Sequence, residues 1–350
     1  MKKIKHKVHK GFSLVTLRQS QCAAFVSFVF MLFACQASPN CFDEDVFCAA
    51  LVTDTLGTND NGMNQEAWFG LQKSKENGIT NQIAYIESVD TRDYQKNIAY
   101  FAEQGYDIIF TSGIGLQDET LQSADLYPDS VFVGINQPEE DPHPNFISIT
   151  FAEDQIGFAA GALAAKLSKI GIVAGVCETS GIDSMWRYCE GFRNGALFTN
   201  PEIKVYISYR DDGDREKLFI DEAWGYETAS SLIKRGADVI FAAGGVTGQG
   251  ALKAGTDFEV YAIGSERNQW AALGESGRGV VTSFYGQTSF EVQEVMRLIK
   301  EENVRESRIS QIQFVPLNQT FRESLGFEIK LLITLLENGE IVTNVLPEKP

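Results

Sequence analysis

Two short stretches decide the fold: Gly105-Tyr-Asp-Ile-Ile-Phe-Thr-Ser-Gly113 and Gly236-Ala-Asp-Val-Ile-Phe-Ala-Ala-Gly244. Each is an apolar run opened by Gly-x-Asp and closed by glycine, which predicts a buried parallel strand ending in a tight turn. Each continues through a helix-like stretch into a second apolar strand, at residues 131–136 and 260–265. The repeat therefore predicts two similar lobes whose strand-end loops face a shared cleft.

Strands alternate with helices on both sides of this repeat, which predicts an α/β protein with two doubly wound lobes. The stretch Asp141-Pro-His-Pro144 interrupts the alternation and is interpreted as a turn or a crossing between lobes. The predicted first lobe comprises residues 46–145 and about 265–283, and the predicted second lobe comprises residues 146–264 and about 284–345.

The beginning of the chain is typical of an export signal. Basic residues through Lys10 and Arg18 precede an apolar run at 22–34, which is too short to span a bilayer. The run ends in Leu32-Phe33-Ala34-Cys35, which resembles a bacterial lipoprotein box. We therefore expect a signal peptide at 1–34, a linker at 35–45 and an extracytoplasmic protein, on the cell surface or in the periplasm, anchored by a lipid on Cys35. Plain secretion and retention as an uncleaved anchor stay open as alternatives.

The charge of the chain argues against one class of partner. The formal net charge is −17, and the basic leader contains no acidic residue, so removing the leader makes the remainder more negative. Binding to nucleic acid requires clustered Lys and Arg to neutralise phosphates. The composition therefore argues against a nucleic-acid partner.

Four cysteines follow Cys35, and export makes disulfide formation possible. The local pairings are Cys41–Cys48 and Cys177–Cys189, with free buried thiols as the open alternative. Their spacing does not mark a zinc site, and the sequence predicts no metal and no cofactor.

Several segments resemble a known family. Residues 50–70 (Ala-Leu-Val-Thr-Asp-Thr-Leu-Gly-Thr-Asn-Asp-Asn-Gly-Met-Asn-Gln-Glu-Ala-Trp-Phe-Gly) resemble the opening motif of the basic membrane protein family. Residues 118–136, 148–153, 188–196 and 241–250 are similar to further family segments in the same order. These lipoproteins are substrate-binding components of ABC importers, and the purine nucleoside receptor is the familiar type.

The resemblance implies a type I periplasmic-binding-protein fold, in which three crossings join two lobes that close over a solute. It implies a small polar solute, with a nucleoside or a relative of one as the candidate, and the permease subunits of an ABC transporter as partners. A solute-binding protein of this kind is not an enzyme.

The matching motifs contain four candidate ligand-binding residues. Asp54, at a strand end, can accept hydrogen bonds from hydroxyls or amines, and Asn64 offers both a donor and an acceptor. Gly244 and Gly245 would let the backbone reach the ligand. For Asp54 and Asn64 the alternative is local capping of the helix that follows, for which Asp60 is also placed.

Other positions depart from the family pattern. Met63 stands where the family usually has Phe, and Asn136 and Glu266 stand where it has Asp. The aromatic residue that follows the strand ending at Tyr209 is missing. These changes leave a polar cleft whose ligand the sequence does not identify.

Trp186 and Tyr188 are candidate replacements for the missing stacking surface. The alternative is that both side chains pack between helices of the lobe.

Two alternatives to transport remain open. The same cleft could serve an extracytoplasmic sensor with a signalling partner. A less favoured hypothesis is a nucleoside-acting hydrolase, in which Asp54 and Glu266 would act as paired catalytic carboxylates. Against an enzyme, His143 lies in a Pro-flanked loop, and residues 244–250 lack the lysine of a phosphate-binding loop.

Overall fold

The computed structural model describes residues 40–139, 141–317, 321 and 323–350. The predicted signal peptide and Cys35 lie outside the described residues. The strands are β1 Cys48–Thr53, β2 Gln82–Glu87, β3 Ile108–Ser112, β4 Val131–Ile135, β5 Phe146–Phe151, β6 Ile172–Cys177, β7 Lys204–Tyr209, β8 Val239–Ala243, β9 Tyr261–Ser265, β10 Val280–Gly286, β11 Arg308–Ser310 and β12 Ile312–Phe314. The α-helices are α1 Met63–Glu76, α2 Tyr94–Glu103, α3 Gln117–Leu126, α4 Glu153–Leu167, α5 Asp183–Thr199, α6 Glu222–Lys234, α7 Gly245–Asp257, α8 Gln269–Leu273, α9 Thr288–Arg297 and α10 Glu323–Glu337.

The strands form two six-stranded sheets, one in each lobe. The order is β11-β5-β4-β3-β1-β2 in the first lobe and β12-β10-β9-β8-β6-β7 in the second. All pairings are parallel except the pairing of β10 with β12, which is antiparallel. The predicted α/β fold with two doubly wound lobes is confirmed, and the repeated stretches form the equivalent strands β3 and β8.

Both faces of each sheet are buried, which explains the apolar runs of the sequence. Along β1, Ala49 and Leu51 belong to one hydrophobic cluster, whereas Cys48, Ala50 and Val52 belong to another. Two further clusters lie on the two faces of the second sheet. Strands covered by helices on both faces cannot alternate between apolar and polar residues, so the apolar runs are continuous.

The predicted crossing at residue 145 is wrong, because β5 belongs to the first sheet and pairs with β4. Asn145 fixes this placement: its side-chain amide donates to the carbonyl oxygens of Ala124, Tyr127 and Ser130 in the first lobe. The chain crosses to the second lobe only after β5. The Asp141-Pro-His-Pro144 break is therefore a connection within one lobe.

The assignment of residues 265–283 to the first lobe is also wrong. Strand β10 lies in the second sheet, parallel to β9. The chain returns to the first lobe with α9, whose Val292 packs against α1 so closely that a Cβ on Gly70 would lie 2.7 Å from its Cβ. It crosses a third time between β11 and β12, so three crossings join the lobes.

Helices α4 and α5 of the second lobe pack in close contact through glycines on both sides. A Cβ on Gly157 of α4 would lie 2.1 Å from the carbonyl oxygen of Tyr188. A Cβ on Gly195 of α5 would lie 1.9 Å from the carbonyl oxygen of Phe158. The absence of side chains at these glycines therefore allows the two helices to approach each other closely.

Two disulfides, Cys41–Cys48 and Cys177–Cys189, are present. They are the local pairings that the sequence left open against free thiols. The first ties the segment before β1 to the first sheet, and the second ties the end of β6 to α5. Of the helices in the described part of the chain, none has the length and apolar character needed to cross a membrane.

Candidate functional site

The carboxyl ends of the strands carry equivalent residues in the two lobes. Asp54 follows β1 and lies beside Gly113, where an added Cβ would be 3.1 Å from Asp54 Oδ2. Glu178 follows β6 and lies beside Gly244, where an added Cβ would be 2.5 Å from the Cβ of Glu178. Both glycines have a left-handed backbone, with φ angles of 108° and 113°. Each lobe therefore presents one acidic side chain at the same position of its sheet.

A second equivalent pair follows the strands β4 and β9. Asn136 and Glu266 both have left-handed backbone conformations, with φ angles of 58° and 68°. This conformation is uncommon for residues other than glycine. The turns that aim these two side chains are therefore fixed by the surrounding structure rather than by local preference.

Asp54 and Asn64, each predicted to contact the ligand with helix capping as the alternative, contact each other in the structure. The Asn64 amide, which is buried, donates to Asp54 Oδ1 at 2.8 Å and to the carbonyl oxygen of Gly57 at 3.0 Å. The backbone N–H of Leu56 also donates to Asp54 Oδ1, at 3.0 Å. Both donors reach the same oxygen, so Asp54 Oδ2 has no hydrogen-bond partner among the described residues. Burial raises the pKa of Asp54, and the bond from Asn64 opposes this effect.

Asp60 caps the start of α1, the role for which its position in the sequence is suited. Its carboxylate accepts from the backbone N–H groups of Gly62, Asn64 and Gln65 at 2.8, 3.0 and 3.1 Å. Burial raises the pKa of Asp60, and these three hydrogen bonds lower it. Asp60 is thus a partly desolvated acid at the edge of the first lobe.

Glu266 occupies the N-terminus of α7. Its Oε2 accepts from the backbone N–H of Gly245 at 2.9 Å, and the Gly244 N–H also bonds the carboxylate. A helix N-terminus favours negative charge. The sequence predicted that these two glycines would reach the ligand directly; in the structure Glu266 bonds their amides instead.

Burial also raises the pKa of Glu266, and the charges of Asp60 and Glu178 raise it further. Asp60 belongs to the first lobe and Glu266 to the second. The negative charge of the first-lobe acid thus disfavours the ionised form of Glu266.

Arg210 neutralises the second-lobe acid Glu178. Its Nε lies 2.5 Å from Glu178 Oε1, and both side chains are buried. Arg210 also contacts Asp212 Oδ1 at 2.6 Å and donates to the carbonyl oxygen of Asp214 at 2.9 Å. Arg210 directly follows Tyr209. A buried ion pair and a folded acidic loop therefore occupy the place of the aromatic residue that the family pattern has after this strand.

The other predicted residues have mixed surroundings. Met63, the first residue of α1, is partly buried against the first-lobe core. Tyr188 lies within the second-lobe core, which favours the packing alternative. Trp186 is partly buried on α5, and its carbonyl oxygen accepts from the Tyr209 hydroxyl at 3.5 Å. The half-buried side chain of Asn136 has no hydrogen-bond partner among the described residues.

Three contacts join the lobes across the cleft. Arg267 Nη2 lies 2.9 Å from Glu66 Oε1, and Arg267 Nη1 donates to Gln65 Oε1. Gln249 Nε2 on α7 donates to the carbonyl oxygen of Asn61 at 3.3 Å. Sequence reasoning missed Arg267, Glu178 and Arg210 because it followed only positions that the family motifs contain.

A sequence model of the Bmp family, described as ABC transporter substrate-binding protein PnrA-like, matches residues 48–311. The chain belongs to the Bmp family. The resemblance noted in the sequence is thereby confirmed.

Two bacterial relatives of this Bmp protein illustrate the similarity. The CD4+ T-cell-stimulating antigen of Listeria monocytogenes is 33% identical over 239 residues, covering 64% of each chain. The ABC transporter nucleoside-binding protein BmpA of Lactococcus lactis is 34% identical over 227 residues, covering 63% of this chain and 60% of BmpA. The chain thus matches less than two thirds of the length of these relatives.

The fold of this Bmp protein is also similar to that of solved solute-binding proteins. An ABC transporter solute-binding protein from Conexibacter woesei superposes with a TM-score of 0.68 at 21% identity, covering 85% of this chain and 98% of that chain. This likeness confirms the two-lobed fold of the periplasmic-binding-protein type.

Proposed function

We propose that the protein is the solute-binding component of an ABC importer, which captures a small polar solute between its lobes and delivers it to permease subunits. The candidate solute is a nucleoside or a relative of one. The observation that carries the proposal is the meeting of the strand-end loops of the two lobes, seen in the contacts of Arg267 with Glu66 and of Gln249 with the Asn61 carbonyl oxygen. Ligands of open α/β sheets bind at this end of the strands.

Asp54 is the proposed anchor for the solute. Its Oδ2 accepts no hydrogen bond from any residue that the structure describes, while Oδ1 accepts from Asn64 and Leu56. A carboxylate fixed in this way can accept a hydrogen bond from a solute hydroxyl or amine, and charge-assisted bonds are the stronger ones. The Asn136 side chain has no hydrogen-bond partner among the described residues. Its amide nitrogen adds a donor and its amide oxygen adds an acceptor.

Closure of the lobes is the proposed conformational step. The contacts of Arg267 with Glu66 and of Gln249 with the Asn61 carbonyl join the lobes and must break when the lobes separate. A solute that binds both lobes stabilises the closed arrangement and shifts the population toward it.

The proposed location is extracytoplasmic, with a lipid on Cys35 holding the protein to the membrane. The sequence Leu32-Phe33-Ala34-Cys35 supports this. The two disulfides also support export, because disulfides persist in oxidising compartments.

The Lactococcus relative is a nucleoside-binding protein, which supports nucleosides as the first solutes to test. The differences at Met63, Asn136 and Glu266 change size or charge at positions expected to face the solute. We therefore propose a polar solute of this class without assigning one base.

The test uses the full-length chain, expressed in a bacterial host and extracted from membranes in mild detergent. Denaturing extraction followed by mass spectrometry identifies any co-purified solute, and calorimetry measures binding of adenosine, inosine and uridine. A nucleoside that binds the native state must raise the melting temperature. The intact mass of the same sample reports whether Cys35 carries a lipid. Absence of binding and of any thermal shift with all three nucleosides would overturn the nucleoside assignment.

A further inference from the structure

Arg267 is held between the two lobes by residues of the first lobe. It follows Glu266 at the end of β9, and its side chain is 10% exposed. Its Nη2 forms an ion pair with Glu66, and its Nη1 donates to Gln65. Both partners lie in the first turn of α1. The Cα of Arg267 thus belongs to the second lobe, while the end of its guanidinium group is fixed to the first.

The Nε–H of Arg267 has no partner among the described residues, although the atom is buried. A guanidinium group stays charged and carries five N–H donors, so the unpaired donor cannot be removed by deprotonation. A buried donor without an acceptor is unfavourable. Arg210 provides the comparison within the same chain, because its Nε is paired with Glu178 at 2.5 Å.

The position of Nε follows from the contacts on either side of it. The atom lies between the second-lobe backbone and the two nitrogens that contact α1. It therefore lies in the space between the lobes, next to the carboxyl end of β9, where the solute is proposed to bind.

The surrounding charges restrict the acceptor. Glu66 already balances the charge of Arg267, and the acids Asp60 and Glu266 lie close by. A phosphate or carboxylate on the solute would be repelled by these acids. A neutral acceptor, such as a carbonyl oxygen or an aromatic ring nitrogen, avoids this cost.

We propose that Arg267 is a specificity-determining residue of the cleft, whose Nε–H donates a hydrogen bond to a carbonyl oxygen or ring nitrogen of the bound solute. This inference rests on the proposed function. Glu66 and Gln65 act as positioning residues, since they hold the guanidinium group where the donor meets the solute. Because they do so from the other lobe, the donor is presented when the lobes are together.

The test pairs a variant with solutes that lack single acceptors. Arg267→Lys keeps the positive charge and a partner for Glu66 but removes the Nε–H. Binding is measured by calorimetry on the full-length chain with adenosine and its 1-deaza, 3-deaza and 7-deaza analogues. Inosine and purine riboside, which lacks the inosine carbonyl oxygen, complete the set.

We expect Arg267→Lys to bind the tighter of adenosine and inosine about tenfold to 100-fold more weakly than the native chain. One analogue, which lacks the acceptor, should bind the native chain and the variant about equally. Gln249→Met is the control for lobe bridging, because the Gln249 contact with the Asn61 carbonyl oxygen also joins the lobes, and it should weaken all analogues by the same factor. If Arg267→Lys is too unstable to purify, Arg267→Gln is used in the same comparison.

Two results would overturn the inference in different ways. If Arg267→Lys weakens every analogue by the same factor, Arg267 only bridges the lobes and does not contact the solute. If the native chain binds neither adenosine nor inosine, the nucleoside assignment fails and the inference fails with it. Equal binding of every solute to the native chain and to Arg267→Lys also removes any role for the Nε–H.

Discussion

Glu178 and Arg210 form a buried ion pair at the end of the second sheet, with 2.5 Å between Glu178 Oε1 and Arg210 Nε. Glu178 occupies the position that Asp54 occupies in the first lobe, yet the two acids differ in what they bind. Glu178 also accepts from the backbone N–H of Phe219 at 3.1 Å, so the protein itself saturates it. Asp54 Oδ2, in contrast, accepts no hydrogen bond from the described residues. The two lobes thus have the same backbone arrangement at this position, but the second-lobe acid binds loops of the protein, whereas the first-lobe acid is available to a solute.

Replacing Glu178 with Gln should destabilise the protein strongly. The change leaves the buried Arg210 guanidinium with the exposed Asp212 as its remaining counter-charge, and breaking a buried pair costs up to about 3–5 kcal/mol. Urea unfolding followed by circular dichroism measures the free energy of unfolding. The matched control is the double variant Glu178→Leu/Arg210→Met, which removes both charges and should be less destabilised than Glu178→Gln. A single variant within about 1 kcal/mol of the native chain would contradict the account of this pair.

Replacing Gly195 with Ala should also destabilise the second lobe. The added Cβ would lie 1.9 Å from the carbonyl oxygen of Phe158, so α4 and α5 must move apart. Overpacking of this kind costs about 1–3 kcal/mol or more. Gly326 in α10 is the control, because an added Cβ there meets no atom within 4 Å. Gly326→Ala should stabilise by up to about 1 kcal/mol through helix propensity. Equal thermal stability of the two variants would contradict the packing described for α4 and α5.

The sequence predicted the fold well because buried parallel strands leave a continuous apolar signal. Strands β3 and β8 lie within the two repeated stretches, and the two-lobed plan follows from them. The lobe boundaries were wrong because the Asp141-Pro-His-Pro144 break marks the end of regular structure without showing which strand pairs next. Asn145, whose amide decides that pairing, makes contacts up to 21 residues away.

The candidate site was predicted less completely. Asp54 and Asn64 lie ten residues apart in one motif, which identified both residues as candidates without predicting their contact. Glu178 and Arg210 are 32 residues apart, and Arg267 and Gln65 are 202 apart, so no local pattern reveals either contact. The position of Glu266 on the Gly245 amide depends on a left-handed turn at Glu266 itself. Such a turn is not expected for glutamate from its sequence.

Asp54→Asn should weaken solute binding while preserving the fold. Asn keeps the size of the side chain but removes the charge that strengthens the proposed hydrogen bond to the solute. A hydrogen bond to a charged group contributes about 1.5–3 kcal/mol, so we expect a loss of about tenfold to 100-fold in adenosine or inosine affinity. The control is Asp211→Asn, because Asp211 accepts from Thr179 and Ser180 in the second lobe and has no assigned role with the solute. An unchanged affinity in Asp54→Asn would remove Asp54 from the site.

Glu266→Gln should change how stability depends on pH. Burial raises the folded-state pKa of Glu266 above the ordinary value of 4.5. The native state therefore binds the Glu266 proton more tightly than the unfolded state, so this group's contribution to stability falls as pH rises from about 4.5 through the raised pKa. Gln resembles the protonated acid and lacks this dependence. Urea unfolding from pH 4.5 to pH 8 should show Glu266→Gln gaining stability relative to the native chain as pH increases. Glu87→Gln is the control, since hydrogen bonds from Thr58 lower the pKa of Glu87, so its pH dependence lies below about pH 4.5 and its stability relative to the native chain should stay nearly constant from pH 4.5 to pH 8. A difference between Glu266→Gln and the native chain that stays constant with pH would show that the carboxylate on the Gly245 amide is not destabilised by burial.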